Sequence, residues 1–287
     1  MTVPAAAETQ QSQVPARVPG VASTAIYGAV SAAGTEATVL GTSSHAVWLL
    51  IEDRVIAVTT SDSTRLPNGV QLAAGSSSDL FRMVHHGATV EIGHGRIMLE
   101  GLAVTINRWW DPRPSLATVS ASKVAEAIAG LPSEVPDIDS GSLRAALVAG
   151  SPGGILLSAK ALLGKGPGLT PEGDDYLAGA LAATRLLAEA LGRDRTTAMI
   201  AGVSVPLAKL ADARTTTFSA SLVHSALRGQ VAEPAGALLR AFTGRGDVSA
   251  SHQRLQRVGH SSGPALAAGV VLAAQSLIQS ASNGGTQ

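Results

Sequence analysis

Asn107-Arg108-Trp109-Trp110-Asp111-Pro112-Arg113-Pro114 separates two textures of sequence, and reading outward from it decides the fold. On its N-terminal side, apolar residues come in short runs between turn residues. His45-Ala46-Val47-Trp48-Leu49-Leu50-Ile51 and Val55-Ile56-Ala57-Val58-Thr59 flank the charged Glu52-Asp53-Arg54, the pattern of a hairpin. Pro67-Asn68-Gly69 is a turn signal before Val70-Gln71-Leu72. Ala88–Ile92, Arg96–Leu99 and Ala103–Ile106 read as three more strands with glycine-containing joints. Beyond Pro114, segments 121–129, 141–163, 171–191, 195–211, 217–228, 234–242 and 263–280 all allow helices, with Pro152-Gly153-Gly154 interrupting the second. In 176–191 the apolar residues follow i, i+3, i+4, i+7 spacing.

The expectation is therefore an α+β chain. A small antiparallel β sheet or barrel-like domain (23–114) precedes a larger, mostly α-helical domain (115–281). Residues 1–22, rich in Pro, Gln, Ala and Ser, read as a disordered lead-in, and 282–287 as a disordered tail. The paired tryptophans at the junction are expected to cement the β part to the helices. Arg108 or Arg113 would add positive charge to a site between the two parts.

Composition narrows the function. Among 287 residues, 21 basic side chains balance 21 acidic ones, which argues against nucleic-acid binding through bulk charge. The absence of cysteine excludes disulfides, thiol catalysis and cysteine-ligated zinc. Aromatics are 3%, so the core must be built from Ala, Leu, Val and Ile. No run approaches the ~18 uninterrupted apolar residues of a membrane helix, and the apolar tract 265–278 reads as a buried helix. Residues 1–20 lack the basic and apolar regions of a secretory signal, so a cytoplasmic location is expected, with no membrane and no nucleic-acid partner.

The chemistry concentrates in three stretches. In Gly164-Lys165-Gly166-Pro167-Gly168-Leu169-Thr170-Pro171-Glu172-Gly173-Asp174-Asp175, a glycine-rich loop runs into a helix start. Such a loop exposes N–H groups at the positive end of a helix, which favours anions. Thr170 can cap the helix, and Pro171 suits its first position. Asp174 and Asp175 fall in the first turn but point about 100° apart, so one can serve the site while the other caps or faces solvent. The loop is not a phosphate-binding Walker loop, because Gly166 stands where Ser or Thr would hold magnesium. The plain alternative is a tight turn with a routine cap.

A second stretch, Arg257-Val258-Gly259-His260-Ser261-Ser262-Gly263-Pro264, again opens an apolar helix. His260 is a candidate acid or base; Ser261 and Ser262 can cap the helix or bind an anion. In the third, 212–221, Arg214 is a candidate clamp for carboxylate or phosphate, beside the hydroxyls of Thr215, Thr216, Thr217 and Ser219. A polar helix start accounts equally well for those hydroxyls. His224, His85, His86 and His94 read as structural or surface histidines, with no carboxylate cluster to complete a metal site.

The stretch 166–179 resembles the AllH-like subunit family of oxamate carbamoyltransferase, whose pattern is close to G-x-G-P-G-L-T-P-x-G-D-D-x-L-x-G. Thr216-Thr217…Ser219 and Gly259-His260-Ser261-Ser262-Gly263 fit the later motifs, and Trp48-Leu49-Leu50, Pro67-Asn68 and Trp110-Asp111-Pro112 fit the strand section. The resemblance spans roughly 25–280 and implies a multi-subunit enzyme of allantoin and purine nitrogen breakdown. That enzyme interconverts oxalurate plus phosphate with oxamate plus carbamoyl phosphate, with two other subunit types and cytoplasmic residence; a homo-oligomer is also compatible.

Both substrates are anions, and the residues suit them. Lys165, Gly166, Gly168, Leu169, Thr170, Thr216, Thr217, Ser219, Ser261 and Ser262 are candidates for anion binding. Asp174, Asp175, His260 and Arg214 are candidates for catalysis. No cofactor is called for with certainty; a divalent metal such as magnesium would fall to Asp174 or Asp175. Two rival readings stay open: a non-catalytic scaffold or ligand-sensing subunit, and a stand-alone metal-dependent hydrolase of a ureido or carbamoyl compound. Convergence of the three motifs on one pocket would favour catalysis, and dispersal would favour a scaffold.

Overall fold

The hairpin read around Glu52-Asp53-Arg54 supplies two adjacent strands of a closed barrel. The computed structural model describes residues 15–284; residues 1–14 of the expected lead-in and 285–287 of the expected tail lie outside them. The strands are β1 (Ala16–Ser23), β2 (Thr35–Thr42), β3 (Ala46–Ile51), β4 (Arg54–Thr59), β5 (Gly69–Leu72), β6 (Thr89–Gly93), β7 (Arg96–Leu99) and β8 (Leu102–Trp110), with a short helix α1 (Tyr27–Ser31) after β1. They close in the order β1-β5-β4-β3-β2-β6-β7-β8. The fold is thus α+β with a barrel, as read, but two strand pairs depart from the antiparallel expectation. β1 runs parallel to β8, and β4 parallel to β5.

The parallel seam arises because residues 16–22, assigned to the lead-in, form a strand. Pro19 and Gly20 disguise it in the sequence, yet both flanks are paired, Gly20 with Leu72 on one side and Val18 with Val104 on the other. β2 also escaped the reading, which began its strands at Ala46. Alternate residues of β6 and β7 turn inward, as a half-exposed sheet requires. β4 is buried on both faces after Arg54, because its outer face is covered by helix. Leu49, Ile56, Leu72, Ile92, Ile97 and Leu102 fill the barrel interior.

The helices are α2 (Ala121–Ala127), α3 (Ser140–Val148), α4 (Pro152–Leu162), α5 (Glu172–Ala190), α6 (Asp194–Arg214), α7 (Thr217–Leu227), α8 (Glu233–Phe242), α9 (Val248–Gln256) and α10 (Ser262–Gly284). Pro152 divides α3 from α4 as expected. α9 was not foreseen: it is mostly polar and buries only His252 and Leu255, with Val248 partly buried, and Asp247 caps it by accepting from Ala250 N–H at 2.6 Å. The backbone of α10 runs into the region assigned to the tail.

α5 and α10 are the central pair. A Cβ on Gly179 would overlap the Leu266 carbonyl oxygen, and one on Gly269 would overlap that of Tyr176. Only glycine permits the two backbones to touch there. Alanines and leucines fill the rest of the contact, which is how a core poor in aromatics is packed. The segment Ser262–Ala281 is long and apolar enough to cross a membrane by length and composition, and most of it is buried against neighbouring helices.

Barrel and helices meet along a seam. Trp48 meets Phe218 of α7 edge-on, with ring centroids 5.7 Å apart. Asn68 Nδ2 donates to Ser221 Oγ at 3.1 Å, and Glu233 N–H to the Arg65 carbonyl at 3.1 Å. The ring contacts of the Trp109–Trp110 pair themselves fall within the β part. Trp109 packs on Tyr27 at 4.9 Å, within the β part, and Trp110 lies beneath the Arg65 guanidinium at 5.6 Å. Alternation along β8 puts the two rings on opposite faces, which adjacent letters in a sequence conceal. Arg113 is engaged structurally, donating to Glu189 Oε2 at 2.5 Å and to the Arg228 carbonyl at 2.7 Å.

A paired substitution tests the helix contact. Gly269→Ala should lower the stability read from urea unfolding by about 2 kcal/mol, the scale of core overpacking. Gly202→Ala, in α6 with open space at its Cβ position, should raise it by up to about 1 kcal/mol.

Candidate functional site

Asp174 joins the glycine-rich loop to the Thr-rich stretch. It lies in the first turn of α5 and is 1% exposed. Its Oδ1 accepts the Gly164 N–H at 2.7 Å; its Oδ2 accepts the hydroxyls of Ser219, at 2.7 Å, and Thr215. Nearby, Thr216 Oγ1 donates to the Leu169 carbonyl at 2.6 Å and caps α7 by accepting from Ser219 N–H. The third stretch is tied in by Thr170 Oγ1 and Ser262 Oγ, 2.9 Å apart. The three motifs, distant in sequence, thus converge through side-chain hydrogen bonds.

The loop itself is built on left-handed glycines. Gly164, Gly166 and Gly168 have φ of 76°, 116° and 89°. A Cβ on Gly164 would overlap the Arg214 carbonyl oxygen. The expected Thr170 cap is not formed: Pro171 occupies the cap position of α5, and the Thr170 hydroxyl turns to Ser262 instead. The loop carbonyls of Lys165 and Pro171 receive the Gly173 and Asp174 N–H groups.

Asp175 points elsewhere, as the 100° offset requires. It is 7% exposed and lines a cavity of about 190 Å³ beneath the seam. The walls are mostly apolar: Leu66 and Pro67 from the barrel, Phe218 and Leu222 from α7, Val258 and Leu266 from the last stretch. Thr170 and Ser262 add hydroxyls at its edge. Asp175 Oδ2 is buried and makes no hydrogen bond among the described residues. Burial pushes this carboxyl up to about 7; the Ser262 hydroxyl opposes the shift, and the charges of Asp174 and Glu172 add to it.

The other candidates divide. Lys165 is exposed, and its ammonium donates to the Asp137 carbonyl, outside the cavity wall. Arg214 and His260 are exposed and do not line the cavity, although their neighbours Thr215 and Gly259 belong to the assembly. Leu169 is 56% exposed at the loop tip. Thr217 is exposed at the first turn of α7, and the Ser261 carbonyl accepts the Ala265 N–H. Sequence reasoning missed the wall residues Leu66, Phe218 and Val258, whose apolar side chains carry no signal beyond core. Thr215 was noted only as a hydroxyl in a run.

Both Asp174 oxygens are taken by protein donors, so of the two aspartates only Asp175, with its unpaired Oδ2, keeps an oxygen for a cation; no group of three or more His, Asp or Glu that could hold a metal occurs among the described residues.

The class defined here is an α+β protein with a barrel roofing a buried acid. Residues 162–274, which carry all three motifs, match the family model described as oxamate carbamoyltransferase subunit AllH. That is the family the motifs resemble, and its name is that of a subunit of a multi-subunit transferase. The match does not extend to the barrel. No curated protein and no solved structure matches the chain.

Asp174→Ala should cost about 3 kcal/mol, since hydrogen bonds to a charged group contribute roughly 1.5–3 kcal/mol each and three donors lose their acceptor; urea unfolding reads it. Asp175 binds its proton more tightly folded than unfolded, because its folded value of about 7 exceeds the ordinary 3.8. The stability it contributes is therefore complete below about pH 4 and is lost as pH rises through about 7. Asp175→Asn should flatten that decline and stabilise the protein above pH 7 in unfolding curves taken across this range.

Proposed function

We propose that this chain is a catalytic subunit of a cytoplasmic carbamoyltransferase that interconverts oxalurate plus phosphate with oxamate plus carbamoyl phosphate, in allantoin and purine nitrogen breakdown. It works with two other subunit types. The observation that carries the reading is the convergence of the three motifs around one cavity holding a buried, titratable acid.

The chemistry asks for three things. A phosphate oxygen attacks the terminal carbamoyl carbon of oxalurate, the bond from that carbon to the inner nitrogen breaks, and the nitrogen leaves as the amide of oxamate. The proton lost by hydrogen phosphate equals the proton the leaving nitrogen gains. A carboxyl titrating near neutrality suits that transfer, and Asp175 is the group so placed. Of the glycine-loop N–H groups, those of Gly166 and Gly168, which are not spent on Asp174 or on loop carbonyls, would hold an anion or the developing oxyanion. Asp174 would position loop and α7 without touching substrate. Arg214, Lys165 and His260, exposed outside the cavity wall, would meet charge brought by substrate or by a partner subunit.

The test is phosphate-dependent formation of carbamoyl phosphate from oxalurate, with the purified chain alone and with its partner subunits added back. Turnover is expected only in the full mixture. Asp175→Asn should reduce it by roughly 100-fold or more, the usual contribution of a proton-transferring group, and abolish a pH dependence centred near 7. Undiminished turnover without this chain would mark it as a scaffold; full turnover in Asp175→Asn would remove the acid from the mechanism.

A further inference from the structure

A second, larger cleft of about 470 Å³ opens along the same seam, between the β3–β4 turn and α7. Its lining includes Arg54, Asn68, His224, Arg228 and Gln230, the last shared with the wall of the Asp175 cavity.

Asn68 is the informative residue. Its Nδ2 donates to the Val55 carbonyl at 2.9 Å and to Ser221 Oγ at 3.1 Å, which fixes the orientation of the amide. Its Oδ1 is left buried with no hydrogen-bond partner among the described residues, in a side chain 6% exposed. A buried acceptor in this state is completed by a donor from outside the chain, a water or a bound ligand.

The cations of the cleft are in surplus. Arg228 spends its Nε on Gln230 Oε1 at 3.1 Å, and its guanidinium titrates below an ordinary arginine, first through desolvation and then through the charge of Arg54. Arg54 is 3.9 Å from Asp53, but these side chains are 76% and 90% exposed, so that pair is solvent-screened. His224 is engaged with Asp212 at 3.0 Å and with the Ala208 carbonyl. Asp53 is the one carboxylate among the lining residues. An anion seated between the arginines would relieve their mutual repulsion.

We propose that this cleft binds a small carboxylate that also carries an N–H donor, the carboxylate held by Arg54 and Arg228 and the N–H by Asn68 Oδ1. The site stands apart from the reaction proposed above and does not depend on it.

Oxamate and pyruvate make a matched pair of probes, alike except that an amide replaces a methyl. Calorimetric titration of the full chain at low salt should show oxamate binding at least about tenfold more tightly than pyruvate, because a site built to accept an N–H discriminates against its absence. That component of binding should weaken about tenfold or more in Arg228→Gln and in the exposed-turn variant Arg54→Ala, as expected for loss of a charged partner, and persist in Asp175→Asn. Equal binding of the two probes, no binding of either, or oxamate binding unaffected by both arginine variants would overturn the assignment. Oxamate binding lost in Asp175→Asn alone would place the ligand in the neighbouring cavity, overturning this site while supporting the reaction.

Discussion

One buried carboxylate holds the helical half in its working arrangement. Asp174 accepts from a loop backbone and from two hydroxyls of another segment, so three stretches of chain share a single charged acceptor. Ser219 and the carboxylate are both buried, so that pair would leave desolvated polar groups without compensation if either partner were lost. The Gly164 bond sets the glycine loop; the Ser219 bond sets the first turn of α7. That turn also carries Phe218, which meets Trp48 of the barrel. The position of the barrel over the cavity is thus linked to the same residue that shapes the loop.

Two adjacent aspartates divide the work by direction. Asp174 turns toward donors and is saturated; Asp175 turns toward apolar walls and keeps an oxygen unpaired. The charge on the first raises the proton affinity of the second. Opposed environments for neighbouring carboxyls are a recurrent way to separate a fixed charge from an exchangeable proton. Here the helical rotation of one residue is enough to produce the difference.

Much of this was legible in the sequence, for reasons that can be named. Strands from β3 to β8 announced themselves through alternation and turn residues, and the long helices through their apolar spacing. β1 was hidden by Pro19 and Gly20, because its stability comes from partners on both sides rather than from its own residues. The polar α9 was hidden for a similar reason, having only His252 and Leu255 to bury. The special backbone of Gly164–Thr170 marked the site, and the hydroxyl run near Thr216 marked its partner. What the letters could not convey was direction. They did not distinguish the role of Asp174 from that of Asp175, did not turn Thr170 from helix cap to Ser262, and did not show that Lys165, Arg214 and His260 stay at the surface.

The pairing of β1 with β8 has a consequence for biosynthesis. The first strand finds its final neighbour only when Trp110 has been made, so a nascent chain on the ribosome holds an unzipped sheet until then. Non-local pairing of this kind is slow to form and leaves strand edges bare in the interim. Parts of the helical half face no such wait, since α3 with α4 and α6 with α7 are neighbours in both sequence and space. Its glycine-mediated α5–α10 clasp, by contrast, joins elements far apart in sequence and closes only once α10 has been made.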